Sequence, residues 1–449
     1  MSSNRTDLQL MLDNRANVSK NTVGLVKISG QNINVFEINA DGSSFPTQIT
    51  FNNIVVPNYQ NTIVSRNVRV RYQLAVRCDQ SVATGASPVM PAPLGNIIGG
   101  TTPGNAASNA VINTVLRAFP MQSCCNNVQV IINGATTTLN AQQTLSALQR
   151  TLPYGWIKQQ ALECPAMADN QAYFGNCVDG TYGGAGVASG HSNQVFSSAT
   201  NSDGATRGSF QATSVTMAAN IATYLFDISE SILISPFTIY DDEVWLSNIN
   251  TMSLQFNYSS LLDMIEYANQ TVAPATAVTC TITNPRLELT YMQLNPDLVS
   301  IPRVTTLPYE NIVYFPKNNG SGYNLTVTTP FQLNTDTLRL SSLPERIYIF
   351  ARPPISARAA AAPSAQADSF ISLGNQDGTA GLSISIGTRT GLLASASNKT
   401  LFRMSKKNGY RGTYFDWMYG SGGLLIIDPV DLCWQKEDVK GSNFLVTAY

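Results

Sequence analysis

Val68-Arg69-Val70-Arg71-Tyr72-Gln73-Leu74-Ala75-Val76 is the stretch that decides the fold class. Val68, Val70, Tyr72, Leu74 and Val76 fall on one side of an extended chain, and Arg69, Arg71 and Gln73 on the other. A period of two is that of a half-buried β-strand. The arginine side then reads as a solvated or subunit-facing surface.

The same signals recur outward from this strand. Upstream, residues 23–28, 33–38 and 49–56 read as strands, with turns at Asp41-Gly42 and Pro57-Asn58. Downstream, residues 118–139 resume β character, with an apolar strand at 128–132 and a hairpin turn at Asn133-Gly134. Asn140 caps a short helix that runs through Arg150 with Leu145 and Leu148 inward. Residues 222–237 alternate again, 252–258 and 280–294 close the first β region, and 261–267 read as a helical turn. Asn295-Pro296-Asp297 reads as a link. A second β region follows at 304–315, 325–331, 337–352, 382–386, 423–427 and 444–449, with a helical turn at 399–406. Residues 79–108, 151–217 and 356–368 read as loops. Residues 1–20 form a polar arm, with Leu8, Met11 and Leu12 at helical spacing. Its charges, Arg5, Arg15 and Lys20 against Asp7 and Asp13, are not polybasic, so the arm is expected to dock on a neighbour or an inner surface. The tally is two consecutive antiparallel sandwiches, immunoglobulin-like or jelly roll. No βαβ alternation, G-x-G-x-x-G or P-loop occurs.

Composition narrows the function. In 449 residues, 27 Lys+Arg stand against 28 Asp+Glu, and charged residues make up only 12%. That share is about half the usual one. The chain lacks the basic excess with which nucleic-acid binders displace counterions, so no sequence-specific nucleic-acid binding is expected. With 43% hydrophobic residues, the uncharged surface suits a protein packed against copies of itself. The opening twenty residues carry no apolar run of a secretory signal, and no stretch has the length of a transmembrane helix. Seven Asn-x-Ser/Thr sequons (Asn4, Asn17, Asn257, Asn269, Asn319, Asn324 and Asn398) are therefore expected to carry no glycan.

Residues with chemical potential are sparse. The single histidine, His191, sits in a small-residue loop and reads as solvated; no G-x-S-x-G elbow surrounds any serine. Cys78, Cys124, Cys125, Cys164, Cys177, Cys280 and Cys433 form no C-x-x-C pair and read as reduced, mostly half-buried fillers, as in a cytoplasm. Asp241, Asp242 and Glu243 are the tight acidic cluster. A glycoside hydrolase would need two such carboxylates across a cleft, whereas a strand-end turn needs nothing further. Trp156, Trp245, Trp417 and Trp434 are scattered, which suits core or interface anchors better than a sugar platform. Arg403, Lys406, Lys407 and Arg411 make one small basic cluster. No constellation carries catalysis, so no catalytic, metal or cofactor residues are assigned and no cofactor is expected.

The C-terminal third carries an ordered series of motifs. It begins Leu340-Ser341-Ser342-Leu343-Pro344-Glu345-Arg346-Ile347-Tyr348-Ile349-Phe350-Ala351-Arg352-Pro353 and continues with Leu382-Ser383-Ile384-Ser385-Ile386-Gly387-Thr388-Arg389-Thr390-Gly391-Leu392-Leu393. Leu401-Phe402-Arg403-Met404-Ser405-Lys406-Lys407-Asn408-Gly409 and Gly423-Leu424-Leu425-Ile426-Ile427-Asp428-Pro429-Val430-Asp431-Leu432 follow. The series, together with Ile49-Thr50-Phe51 through Ser65-Arg66-Asn67-Val68, resembles the double jelly-roll major capsid proteins of virophages, polinton-like viruses and related icosahedral DNA viruses.

The resemblance implies an all-β chain of two consecutive jelly-roll sandwiches. Its divisions would be an arm at 1–21, a first jelly roll at 22–295 with insertions at about 79–217, and a second at 296–449. It further implies a homotrimer of pseudo-hexagonal outline that tiles an icosahedral shell around a DNA genome. The partners implied are neighbouring capsomers, penton and minor capsid proteins, and an internal membrane where the lineage has one. The location implied is the virion, after assembly in the host cytoplasm. The competing readings are a carbohydrate-binding or adhesive surface protein using Trp156 or Trp245, and a hydrolase using Asp241, Asp242 or Glu243.

Overall fold

The structure is a computed structural model that describes residues 11–13, 25–27, 33–79, 114–160, 163–166, 213–218, 221–237, 245–267, 277–294, 310–317, 333–339, 344–352, 373, 381–386, 389–414, 417, 423–432 and 443–448. The first half opens with β1 (Met11–Asp13), β2 (Leu25–Lys27), β3 (Ile33–Asn39), β4 (Gln48–Val55), β5 (Thr62–Val64) and β6 (Arg69–Asp79). β7 (Thr114–Leu116), α1 (Pro120–Cys124), β8 (Cys125–Ile132), β9 (Ala135–Leu139), α2 (Ala141–Gln149) and α3 (Tyr154–Gln160) follow. The half closes with β10 (Ser214–Ala218), β11 (Ile221–Ser231), β12 (Leu246–Ser247), β13 (Thr251–Tyr258), a 3-10 turn (Leu261–Met264), β14 (Ile265–Tyr267) and β15 (Ala277–Gln293).

Eight of these strands make two facing antiparallel sheets. One runs β3-β15-β6-β11, the other β4-β13-β8-β9. The first strand of the eight pairs with the last and the second with the seventh. A long hairpin folded over on itself gives this nesting, and it is the jelly-roll connectivity. It decides between the two sandwich topologies that periodicity left open. β10 extends the first sheet at β11, and β5 and β12 extend it beside β15.

The alternation over 68–76 is real: Val68, just before β6, and Val70, Tyr72, Leu74 and Val76 within it are all buried. They meet Ile49 and Phe51 of β4, Val128 and Val130 of β8, and Leu254 and Phe256 of β13. Phe51 and Phe256 meet edge to face with centroids 6.5 Å apart. Each such side chain contributes about 1.5–3 kcal/mol by leaving water. Two asparagines correct the phase of the pattern. In β4 the buried positions shift from Ile49 and Phe51 to Ile54, and Asn53 (φ 52°) is the extra residue. In β15 they shift from Ile282 to Leu287 and Leu289, and Asn284 (φ 51°) marks the irregularity, with Pro285 beside it. Each of these bulges holds one residue in the left-handed region, which asparagine tolerates better than a β-branched residue.

The second half contains β16 (Leu333–Asn334), β17 (Leu338–Arg339), β18 (Ile347–Ile349), β19 (Leu382–Ile386), β20 (Arg389–Leu392), α4 (Asn398–Lys407), β21 (Leu425–Ile427), α5 (Pro429–Leu432) and β22 (Asn443–Ala448). Its pairing repeats the nesting: β16 and β17 pair with β22, β18 with β21, and β22 with β19. Its own core gathers Leu382, Ile384, Ile386, Leu401, Tyr410, Trp417 and Leu424 to Ile427. The chain is therefore a double jelly roll.

Several local expectations are corrected. Met11 and Leu12 lie in a strand paired with β2, not a helical turn. The β stretch at 118–139 is interrupted by α1, and the irregular stretch from 151 contains α3. Only Leu261–Met264 is helical in 261–267; Ile265–Tyr267 is a strand paired with β7. Residues 310–317 carry no ladder strand, and the expected turn at 399–406 is the ten-residue helix α4. The link at 295–297, the strand at 325–331 and most of the long loops lie outside the described residues.

Candidate functional site

The strongest polar constellation is buried inside the first sandwich. Glu230 of β11 points into the core and is fully buried. Its carboxylate accepts from the Tyr72 hydroxyl, from Met121 N at 2.8 Å, and from Gln122 N and Nε2 at 3.3 and 3.2 Å. Gln122 also donates to the Ser231 carbonyl oxygen at 2.8 Å and accepts from Leu233 N at 2.7 Å. The helix α1 starts at Phe119 with no side-chain cap of its own. Glu230 takes its open N–H groups instead, from a strand more than a hundred residues away. No local sequence signal announces such a cap.

Burial pushes the Glu230 carboxyl up, against the pull of those hydrogen bonds. Burial likewise lifts the Tyr72 phenol and the Cys124 and Cys164 thiols well above their ordinary values. Protonated, enclosed thiols are poor nucleophiles. This constellation holds a helix in place and offers no group to a substrate.

The other sequence candidates disperse. Asp241, Asp242, Glu243, His191, Cys177, Cys433 and Trp434 lie outside the described residues. Cys124, Cys125 and Cys164 are fully buried and Cys280 partly so, all as free thiols, so the described set is more enclosed than expected. Trp156 stacks on Phe119 with centroids 6.0 Å apart. Trp245 and Trp417 are buried, and Trp417 Nε1 donates to the Leu424 carbonyl oxygen at 2.8 Å. Lys407 pairs with Asp431, and Lys406 Nζ donates to the carbonyl oxygens of Arg411 and Gly412. Lys406 and Lys407 are thus turned on the chain itself, at the C-terminal end of α4, where positive charge complements the helix dipole. Among the described residues, no group of three or more metal-ligating side chains occurs, and no helix is long and apolar enough to cross a membrane.

The arginine face of β6 also closes on its own sheet. Arg71 reaches Asp227 of β11 at 3.1 Å. Arg69 donates to Ser229 Oγ at 3.0 Å and pairs with Glu163. On the neighbouring strands Arg286 of β15 meets Glu37 of β3 at 2.9 Å. Charges so matched leave no basic stripe for phosphates.

The two sandwiches meet at α2. Asn140 caps it, its side chain accepting from Gln143 N. Leu145 enters the first core while Ala147 belongs to the second. Arg352, three residues beyond β18, donates to the Gln142 carbonyl oxygen at 3.1 Å, to Ser146 Oγ at 3.3 Å, and to Gln143 Oε1. Tyr314 donates to the same Gln143 oxygen at 3.2 Å, and Arg411 N to the Arg150 carbonyl oxygen at 3.0 Å. Sequence reasoning quoted Arg352 within a motif and missed its partners. Its one local signal is a cation placed where an apolar strand stops before two prolines.

Comparison with known proteins places this architecture. A family model described as Sputnik virophage major capsid protein 1st domain matches residues 7–298, and one described as major capsid protein V20 C-terminal domain matches residues 314–423. The putative capsid protein V20 of Sputnik virophage is 24% identical over 322 residues, which cover 67% of this chain and 49% of that protein. The chain therefore spans about half the length of this curated relative. The cryo-EM structure of the Sputnik virophage superposes with a TM-score of 0.70 at 18% identity, over 97% of this chain and 85% of that one. The mavirus major capsid protein gives 0.61 at 15% identity, over 96% and 86%. These two likenesses speak to the fold. The first family model alone takes in more than half of the sequence and the whole of the first sandwich, and the chain accordingly belongs to the Sputnik virophage major capsid protein family.

Proposed function

We propose that this chain is the major capsid protein of a virophage-type virion, a structural subunit and not an enzyme. Three copies form a capsomer of pseudo-hexagonal outline, six sandwiches around one axis, and capsomers tile an icosahedral shell around a DNA genome. Residues 1–21 act as an arm, 22–295 as the first jelly roll and 296–449 as the second. Neighbouring capsomers, penton and minor capsid proteins are its partners, and assembly takes place in the host cytoplasm.

The observation that carries this reading is the repeated nesting of strand pairs in a chain of the capsid family: β3 with β15 and β4 with β13, then β17 with β22 and β18 with β21. Twin sandwiches in one chain give a trimer six lobes and so a shape that fills a hexagonal lattice. The near-neutral balance of 27 basic and 28 acidic residues supports close approach of like surfaces. Trp245 and Trp417 are buried and Trp156 is partly buried against Phe119, so these tryptophans lend the sugar-binding reading no support.

Electron microscopy of the purified protein, with light scattering for mass, tests this. Three-fold particles of hexagonal outline and a trimeric mass are expected. A protein that stays monomeric at high concentration under assembly conditions overturns it.

A further inference from the structure

The sequence contains three Asn-Gly pairs: Asn133-Gly134, Asn319-Gly320 and Asn408-Gly409. Asn319 and Gly320 lie outside the described residues. Asn-Gly is the dipeptide most open to deamidation, because glycine leaves its amide nitrogen unshielded and its backbone free to turn. In that reaction the glycine nitrogen attacks the asparagine Cγ. The new N–Cγ bond forms, the Cγ–Nδ2 bond breaks, and Nδ2 leaves as ammonia with the glycine amide proton. Solvent water then opens the succinimide to aspartate or isoaspartate. No oxidant or enzyme is needed.

Both described pairs have their side chains tied at both ends or sealed. Asn133 is solvent-exposed in a two-residue turn, with φ of 49° followed by 84° at Gly134. Its Nδ2 donates to the Asn248 carbonyl oxygen at 2.7 Å, and its Oδ1 accepts from Asn250 N at 2.8 Å and Thr251 N at 3.2 Å. Three hydrogen bonds anchor the amide to the turn that leads into β13, and rotating its Cγ onto the Gly134 nitrogen would require breaking them. Asn408, at the end of α4, is buried. Its Nδ2 donates to the Ile426 carbonyl oxygen and to Asp431 Oδ2, each at 3.1 Å. The attacking nitrogen of Gly409 is itself engaged, donating to the Lys406 carbonyl oxygen at 3.4 Å.

We propose that Asn133 and Asn408 are latent deamidation sites that the native fold silences through these side-chain clamps. Conversion at either site damages the contact that silenced it. An aspartate at 133 sets a carboxylate against the Asn248 carbonyl oxygen, and an isoaspartate adds a backbone methylene to a two-residue hairpin loop. An aspartate at 408 faces the Asp431 carboxylate. A chain that lingers unfolded is thereby marked, and the mark persists when it folds.

Wild-type protein incubated at pH 8 in native buffer and in concentrated urea, then digested and mapped by mass spectrometry, tests this site by site. In urea all three pairs are expected to convert at similar rates. In native protein Asn133 and Asn408 should convert at least about tenfold more slowly than in urea, with exposed Asn133 faster than buried Asn408, since exposed turns open more readily. Equal native and urea rates at either residue overturn the proposal for that residue. Asp431→Ala removes one acceptor of the Asn408 clamp and should raise native conversion at Asn408 several-fold while leaving Asn133 unchanged. No change at Asn408 in this variant overturns the role of the clamp, and the wild-type comparison stands even if the variant folds poorly.

Discussion

Arg352 Nη2 donates to the main-chain oxygen of Gln142 at 3.1 Å and so fastens the chain just beyond β18 of the second sandwich to α2 of the first. The same guanidinium reaches Ser146 and Gln143 and lies 5.8 Å from the centre of the Phe350 ring. A planar fork holds its donors at fixed spacing against several acceptors along one helix face, a geometry the compact ammonium of lysine does not reproduce. Arg352→Lys should therefore behave nearly as Arg352→Ala. Both should cost about 1.5–3 kcal/mol, the range for hydrogen bonds to a charged group. Urea unfolding measures the loss, and limited proteolysis should find the second half cut earlier. A full rescue by lysine would show that charge alone matters at this seam.

Glu230 links stability to pH. Its folded pKa is raised above the ordinary 4.5, so the native state holds this proton more tightly than the unfolded chain. The sign follows from linkage: the contribution of Glu230 is most favourable below about 4.5 and falls as pH rises through the raised native value. Glu230→Gln keeps the shape and does not titrate. The difference in unfolding free energy between wild type and variant should change in that window and be flat well below it. Glu230→Ala leaves Tyr72, Met121 and Gln122 without their acceptor and should cost about 3–5 kcal/mol at neutral pH. Urea titrations from about pH 2.5 to pH 8 measure both.

The two bulge asparagines make a paired test of backbone strain. Asn53 and Asn284 sit at φ 52° and 51°. Replacement by valine should cost about 1–2 kcal/mol at each site, because a β-branched side chain resists the left-handed region. Replacement by glycine should be close to neutral. Thermal unfolding of the four variants checks this, and equal effects of valine and glycine would place the bulges elsewhere.

Ile349 reports on the second core. It pairs with Leu425 across β18 and β21 and packs against the Leu424 to Ile427 cluster, though it is only partly buried. Ile349→Asp should cost about 2–4 kcal/mol, since one side of the new carboxylate meets apolar neighbours while the other reaches water. Soluble yield and denaturant midpoint measure it.

Local pattern and long-range contact divide the information in this chain. The period of two in residues 68–76, the Asn133-Gly134 turn and the Asn140 cap were legible because each depends on neighbours a few residues away. The same holds for the antiparallel β class and the count of two sandwiches. The order of motifs in the last third carried the family. Helix α1 was not legible, because its cap is a carboxylate on β11. Nor was the seam, where Arg352 finds α2 more than two hundred residues back.

What the amino-acid order determined alone is therefore which segments extend, which turn, and which faces shed water, since those follow from side-chain size, branching and polarity at short range. Tertiary structure alone decided which strand lies beside which, and so gave the pairings behind the jelly-roll topology that periodicity left open and that the order of motifs implied. It also decided where Glu230 and Arg352 spend their hydrogen bonds. A buried polar group must find partners wherever the fold brings them, and sequence distance does not enter that requirement.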